Sequence, residues 1–136
     1  MADWQGFLRQ AQRFWEVAEA AHDPEHASQA VSNAVHAVIA ANDAVCLYRL
    51  GERPGGRSHS ETGRFLQRAG KGTPWEREAS VRARQLAQVL REKNAAEYEG
   101  RLVAPDTADR IMRQARRFLD WAERVLPPLP LSPDDE

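Results

Sequence analysis

The stretch Ala27-Ser-Gln-Ala-Val-Ser-Asn-Ala-Val-His-Ala-Val-Ile-Ala-Ala-Asn-Asp-Ala-Val-Cys-Leu-Tyr-Arg-Leu50 decides the fold. Alanine and valine recur on nearly every side of a helical wheel: Ala27, Ala30, Val31, Ala34, Val35, Ala37, Val38, Ala41, Ala44 and Val45. A helix apolar over so much of its circumference, with side chains so small, calls for close neighbours on more than one side, so the stretch reads as the central helix of its domain. Asp23-Pro24-Glu25 supplies its start, with an acidic N-cap, proline at the first helical position and an acid in the first turn. Gly51 supplies its stop. Into this small-residue surface the helix places His36 and the pair Asn42-Asp43. A carboxylate there needs a partner or a wet cleft, because burying it unpaired is costly. Asp43 is therefore a candidate site residue, with solvent exposure or capping of a neighbouring loop as the plainer reading.

Outward toward the N-terminus, Asp3 opens a helix that runs to about Ala21. Trp4, Phe7, Leu8, Ala11, Phe14, Trp15 and Ala18 recur at three- and four-residue spacing and form a core stripe. Outward in the other direction, Glu52-Arg-Pro-Gly-Gly-Arg-Ser58 is a glycine- and proline-rich connection. It lacks the spacing of a phosphate-binding loop and follows no strand. Ser58 and Glu61 make a capping box for a short helix carrying His59, Phe65 and Leu66, with Gly70 at its end. His59 stands at that helix N-terminus, where anions are favoured. Thr73-Pro-Trp-Glu76 restarts the chain as a fourth helix, again with capping box and proline. It carries Val81, Leu86, Val89 and Leu90 on to Arg91-Glu-Lys-Asn-Ala-Ala-Glu-Tyr98, and Glu99-Gly100 ends it. Pro105-Asp-Thr107 opens the last helix, with Ile111, Ala115, Phe118, Leu119, Ala122 and Val125 on one face. No alternating apolar–polar segment and no internal repeat is present. The chain reads as all-α: an up-and-down bundle of four main helices plus one short helix, spanning residues 1–126 as a single domain. The acidic, proline-rich tail 127–136 has little to bury and is expected to be extended or disordered.

Size and composition agree. The 136 residues, 42% hydrophobic and 29% charged, suit one soluble globular domain. No apolar run reads as the roughly 20 residues of a membrane span, no signal-peptide pattern precedes Trp4, and the lone Cys46 excludes an internal disulfide; a cytoplasmic setting follows as the expectation. The net charge of −1 conceals segregation: residues 49–93 hold eleven basic side chains against five glutamates, whereas acids lead on either side. A basic middle attracts phosphates or an acidic surface, although a merely solvated face has the same composition.

Most site chemistries are excluded by spacing. His22 and His26 straddle the Asp23-Pro24 break, no HExxH or CxxC occurs, and neither a nucleophile elbow nor a Cys–His motif is present, so neither a metal nor any other cofactor is expected. What remains is a polar set: Asp43, His59, and the group Arg91, Lys93, Asn94 and Tyr98. At about 100° per residue Arg91 and Tyr98 fall nearly in line, Asn94 shares their face, and the long stem of Lys93 reaches toward it. A tyrosine beside lysine or arginine binds phosphate or donates a proton, and a neighbouring amide orients it.

Three places give the chain a family resemblance: residues 28–46 of the alanine-rich helix; Arg53-Pro-Gly-Gly-Arg-Ser-His59 with Phe65 and Leu66 after it; and Lys93-Asn-Ala-Ala-Glu-Tyr98 followed by a connector and a final amphipathic helix. In their order and spacing these resemble the HEPN domain over roughly residues 5–126. The resemblance implies a helical bundle that dimerises with its signature residues facing a shared cleft. In active members that signature is an arginine, usually followed by a polar residue, with a histidine four to six residues further on, and it serves metal-independent RNA cleavage, often in toxins. Other members bind nucleotides or pair with a small nucleotidyltransferase acting as antitoxin. Here Asn94 fits the polar position, Tyr98 holds the histidine position, and the basic residue is either Lys93 or Arg91. Tyrosine titrates near 10 rather than 6.5 and is a poor general base at neutral pH, and lysine lacks the two-pronged phosphate contact of arginine. The expectation is a degenerate, non-catalytic member, a homodimer binding a nucleotide, RNA phosphate or a partner protein in a cleft lined by Asp43, His59, Arg91, Lys93, Asn94 and Tyr98. The alternatives are a metal-independent ribonuclease toxin using Lys93, Tyr98 and His59, partnered by a nucleotidyltransferase, and a purely structural interaction module.

Overall fold

The computed structural model describes residues 3–54, 59–98 and 103–130. Within them the chain forms α1 (Trp4–Ala20), a short 3-10 turn (Pro24–His26), α2 (Ala27–Leu50), α3 (His59–Gly70), α4 (Glu76–Tyr98) and α5 (Pro105–Val125), and no strand. The all-helical reading holds. Its expected connection at 55–58, its capping Ser58, the helix end at Glu99-Gly100 and the tail from 131 onward lie outside the described residues.

The small-residue stretch is central. α2 packs along α1 and α5 and also touches α3 and α4, while α3 and α4 pair with each other. Ala30, Ala34, Ala37, Ala41 and Ala44 are fully buried. Bulk comes from the neighbours: Leu8 and Trp15 from α1, Leu66 from α3, Leu86 from α4, Phe118 and Trp121 from α5. Pro24–Leu50 is in fact long and apolar enough to cross a membrane, contrary to the reading by runs, because alanine and valine raise its mean hydropathy to 1.3 over the most apolar window. Yet 78% of that window is buried inside the fold, which accounts for the composition without a bilayer.

Local start and stop signals act where expected, with two shifts. The Asp3 carboxylate accepts from the Gln5 N–H at 2.9 Å and caps α1. Asp23 accepts from the Glu25 and His26 N–H groups, but what it caps is the 3-10 turn begun by Pro24, so α2 itself starts later, at Ala27. α2 stops at Gly51, which takes the left-handed conformation at φ 72° and donates its N–H to the Leu47 carbonyl. Thr73 Oγ1 accepts from the Trp75 N–H, while the Glu76 carboxylate reaches the Gly72 N–H rather than that of Thr73, and regular helix begins only at Glu76.

Gly70 ends α3 as expected, though not through its own backbone conformation. It remains helical, and the positive φ in this turn belongs to Gly72, at 80°. Gly70 is required for another reason: a Cβ there would stand 2.5 Å from the Ala79 Cβ, so its absence lets α4 fold back against α3. Further along the same seam a Cβ on Gly63 would meet Ala83 at an ordinary 3.6–3.7 Å.

Polar and aromatic ties hold α4 to α5. Trp121 is buried, lies edge-on to Trp75 and Phe118, and donates Nε1–H to Glu78 at 3.0 Å. Arg124 also reaches Glu78, and Arg110 pairs with Glu92 at 2.7 Å. The connector before α5 is pinned to the start of α2, where Ser28 Oγ accepts from the Val103 N–H at 3.0 Å. After α5, Leu126 is buried, Leu129 packs on the core and the Pro130 carbonyl accepts from Arg9, so residues 127–130 lie extended along the bundle.

Substituting the two seam glycines separates these roles. Gly70→Ala should lower stability by about 1–3 kcal/mol, since the α3–α4 turn must open to admit the methyl group. Gly63→Ala should be neutral or stabilising, by up to about 1 kcal/mol, because helical alanine is favoured where space exists. Urea unfolding followed by circular dichroism checks both; equal effects would show that the seam does not discriminate.

Candidate functional site

Asp43 sits in the C-terminal half of α2, only 5% exposed. Burial favours its protonated form and pushes its pKa up to about 6, opposed by the nearby Arg53 guanidinium. Arg53, from the segment after α2, approaches the Asp43 carboxylate at 3.3 Å and lies over the Phe7 ring of α1 at 4.9 Å. The partner that a buried acid demands is thus supplied by the following loop, and it ties that loop to α1 and α2 together. One helical turn on, Cys46 is buried, and desolvation with the neighbouring Asp43 charge pushes its thiol up to about 12, which makes it a packing residue. Asn42, also buried, accepts weakly from the Cys46 thiol, while its Nδ2 has no hydrogen-bond partner among the described residues. Residue typing marked Asn42 only as a polar intruder; that its amide would be left half-satisfied depends on what α2 packs against and is invisible in sequence.

The α4 group occupies the last turns of a continuous helix, so the spacing argument holds for its backbone: Arg91, Asn94 and Tyr98 fall on one side. Arg91 and Asn94 are exposed and Lys93 is half-buried. Arg91 makes no ion pair or hydrogen bond with the described residues, whereas Lys93 and Asn94 are both engaged. His59 and Tyr98 begin α3 and end α4; their side chains lie outside the described residues. Of the six expected site residues, Asp43 is buried on α2 and bonded to Arg53 of the following segment, Arg91, Lys93 and Asn94 lie on α4, and the side chains of His59 and Tyr98 lie outside those described.

The other histidines are accounted for. His22 Nε2 lies 2.8 Å from Asp109 of α5, His26 Nδ1 lies 2.9 Å from Asp23, and His36 stacks on Phe14 with ring centres 5.2 Å apart. Among the described residues no three His, Cys, Asp or Glu side chains gather as metal ligands do. Two further clefts border α5. One of about 370 Å³ lies against α1, where Arg116 covers Trp15 among Glu16, Glu19 and Glu123. The other, of about 240 Å³, surrounds the His22–Asp109 tie.

The family model of the HEPN domain matches residues 4–125, nearly the whole helical region just described. The chain belongs to the HEPN domain family. Neither a curated protein nor a solved structure matches it.

The Asp43–Arg53 pair has a definite pH signature. The folded-state pKa of about 6 exceeds the ordinary 3.8, so the folded protein binds the proton more tightly than the unfolded chain. The contribution of Asp43 to stability is therefore full below pH 3.8 and is lost as pH rises through about 6. The stability difference between the native protein and Asp43→Asn should fall across this window, with a slope of up to about 1.4 kcal/mol per pH unit, and level off above pH 7. Urea unfolding of both proteins from pH 4 to 8 measures it, and parallel curves would refute it.

Proposed function

We propose that this HEPN domain is a non-catalytic member that binds RNA or nucleotide phosphate with the C-terminal turns of α4, as a cytoplasmic homodimer whose two α4 ends face a common cleft. The observation that carries the reading is the residue set itself: exposed Arg91 beside Lys93 and Asn94, with Tyr98 in place of a histidine. Arg91 and Lys93 supply charge for phosphate, Asn94 orients it, and Tyr98 packs or donates a hydrogen bond. His59 starts α3, where the first backbone N–H groups favour an anion. Asp43 enters this reading at one remove, by holding Arg53 and with it the segment that leads to His59. Tyrosine is in general a poorer base at neutral pH than the histidine it replaces, which favours binding over cleavage.

Light scattering should give the mass of a dimer. In the presence of EDTA the purified protein should leave RNA intact over hours while binding it, and Arg91→Ala with Lys93→Ala should weaken binding by about tenfold, or roughly 1.4 kcal/mol. Metal-independent cleavage abolished by Lys93→Ala or Tyr98→Phe would replace this reading with that of a ribonuclease. Absence of any nucleotide or RNA binding at micromolar levels would leave an interaction module.

A further inference from the structure

The close seam between α3 and α4 leaves a groove of about 530 Å³ on the outer side of the pair, lined by Arg64, Gln67, Arg68, Lys71, Glu76 and Ser80. Every lining residue is polar. The one acid, Glu76, accepts from the Gly72 N–H, and Arg68 is paired with Glu52 at 3.4 Å. Arg64 and Lys71 are exposed and have no carboxylate partner among the described residues.

The groove does not end at Ser80. At about 100° per residue, Ser80, Arg84, Ala87, Arg91 and Asn94 of α4 fall within an arc of about 80°. Arg84, Arg91 and Asn94 are exposed along this arc, and the small Ala87 between the two arginines is half-buried. From Ser80 to Asn94 the stripe extends about 21 Å, at 1.5 Å per residue, and it runs from the α3–α4 groove into the α4 end assigned above to phosphate. Arg84 and Arg91, like Arg64 and Lys71, carry no ion pair to the described residues. On α5 the pattern is mixed: Arg110, Arg116 and Arg124 each meet a carboxylate, whereas the exposed Arg113 and Arg117 have none among the described residues.

We propose that the α3–α4 groove and the α4 stripe form one track for the backbone of a single RNA strand, so that the ligand of the α4 end is a polynucleotide rather than a mononucleotide. This rests on the phosphate-binding reading of Arg91 and Lys93 and extends it to Arg64, Lys71 and Arg84. Charge complementarity selects the occupant. The guanidinium groups of Arg84 and Arg91, about 10 Å apart along α4, with Arg64 and Lys71 at the groove, suit repeated phosphates. An acidic protein surface would also need aromatic or aliphatic anchors, and no lining residue is of that type, although more of the lining's accessible surface is apolar than polar. With phosphate contacts alone, binding is steeply salt-dependent and indifferent to sequence.

The test uses the whole protein and an unstructured, fluorescein-labelled RNA of about 20 nucleotides, with Kd read by anisotropy across a salt series. Removing two phosphate contacts with Arg64→Gln/Arg84→Gln should reduce the slope of log K against log salt by about 1.4, at about 0.7 per contact on a single strand, and weaken binding tenfold or more at low salt. Arg64→Lys/Arg84→Lys should restore the slope, and Arg13→Gln on α1 should change nothing. An unchanged slope and affinity in Arg64→Gln/Arg84→Gln, with thermal unfolding as in the native protein, overturns the track. So does equal binding of polyglutamate, or displacement of the RNA by AMP at the affinity of the RNA itself. If Arg91→Gln/Lys93→Gln abolishes binding and the groove variant does not, the α4 end stands and the track falls. If the groove variant alone loses binding, the track holds RNA without the α4 end.

Discussion

The fold depends on one constraint: α2 is too small in side chain and too apolar in circumference to lie at a surface. A helix built from Ala30, Val31, Ala34, Val35, Ala37, Val38, Ala41 and Ala44 buries little volume of its own, and backbone-close packing is its only route to favourable contact. Its neighbours must therefore bring the bulk, and they do: Leu8, Trp15, Leu66, Leu86, Phe118 and Trp121 are all large and buried. Replacing one of the central alanines by a larger residue would push apart several helices at once, since α2 touches each of them.

That closeness sets the cost of the polar groups on α2. Asp43 must be both desolvated and paired, and the chain meets the demand with Arg53, only ten residues on, after the helix has turned at Gly51. Asn42 is met only in part. None of the described residues bonds to its amide nitrogen, and leaving such a group buried and unpaired costs about 1–3 kcal/mol.

What the sequence disclosed follows the range of the forces involved. α1, α2 and α5 were legible because their apolar periodicity, caps and prolines are local features, and Asp3, Pro24, Gly51 and Pro105 act within a turn of their own positions. The family was legible because three such segments occur in order. Gly70 ends α3 as read, but its requirement comes from Ala79, across the turn, and not from its own φ. The start of α2 slipped because Asp23 and Pro24 stabilise a 3-10 turn as readily as an α-helical one. At the candidate site, helix arithmetic correctly aligned the backbone positions of Arg91, Asn94 and Tyr98. It could not find the Asp43–Arg53 pair, which joins a helix to the loop after it, or a groove that depends on how α3 and α4 pack together.

The two sides of α4 then divide the work of the helix. Glu78 and Glu92 face α5, where Trp121, Arg124 and Arg110 satisfy them; these acids are part of what fixes α4 in place. The arginines on the other side fix nothing: Arg84 and Arg91 reach no described carboxylate, and apolar contact through Leu86, Val89 and Leu90 already holds the helix. Like charges on one face repel, so such a set is mildly unfavourable to the free protein. Separated by about 10 Å, close to the screening length at physiological salt, the cations repel weakly one pair at a time. A polyanion laid along the face meets all of them together and releases its own condensed counterions, so the gain grows with each contact while the standing cost stays small. A single nucleotide would engage one end of the stripe and leave the rest of its charge unanswered.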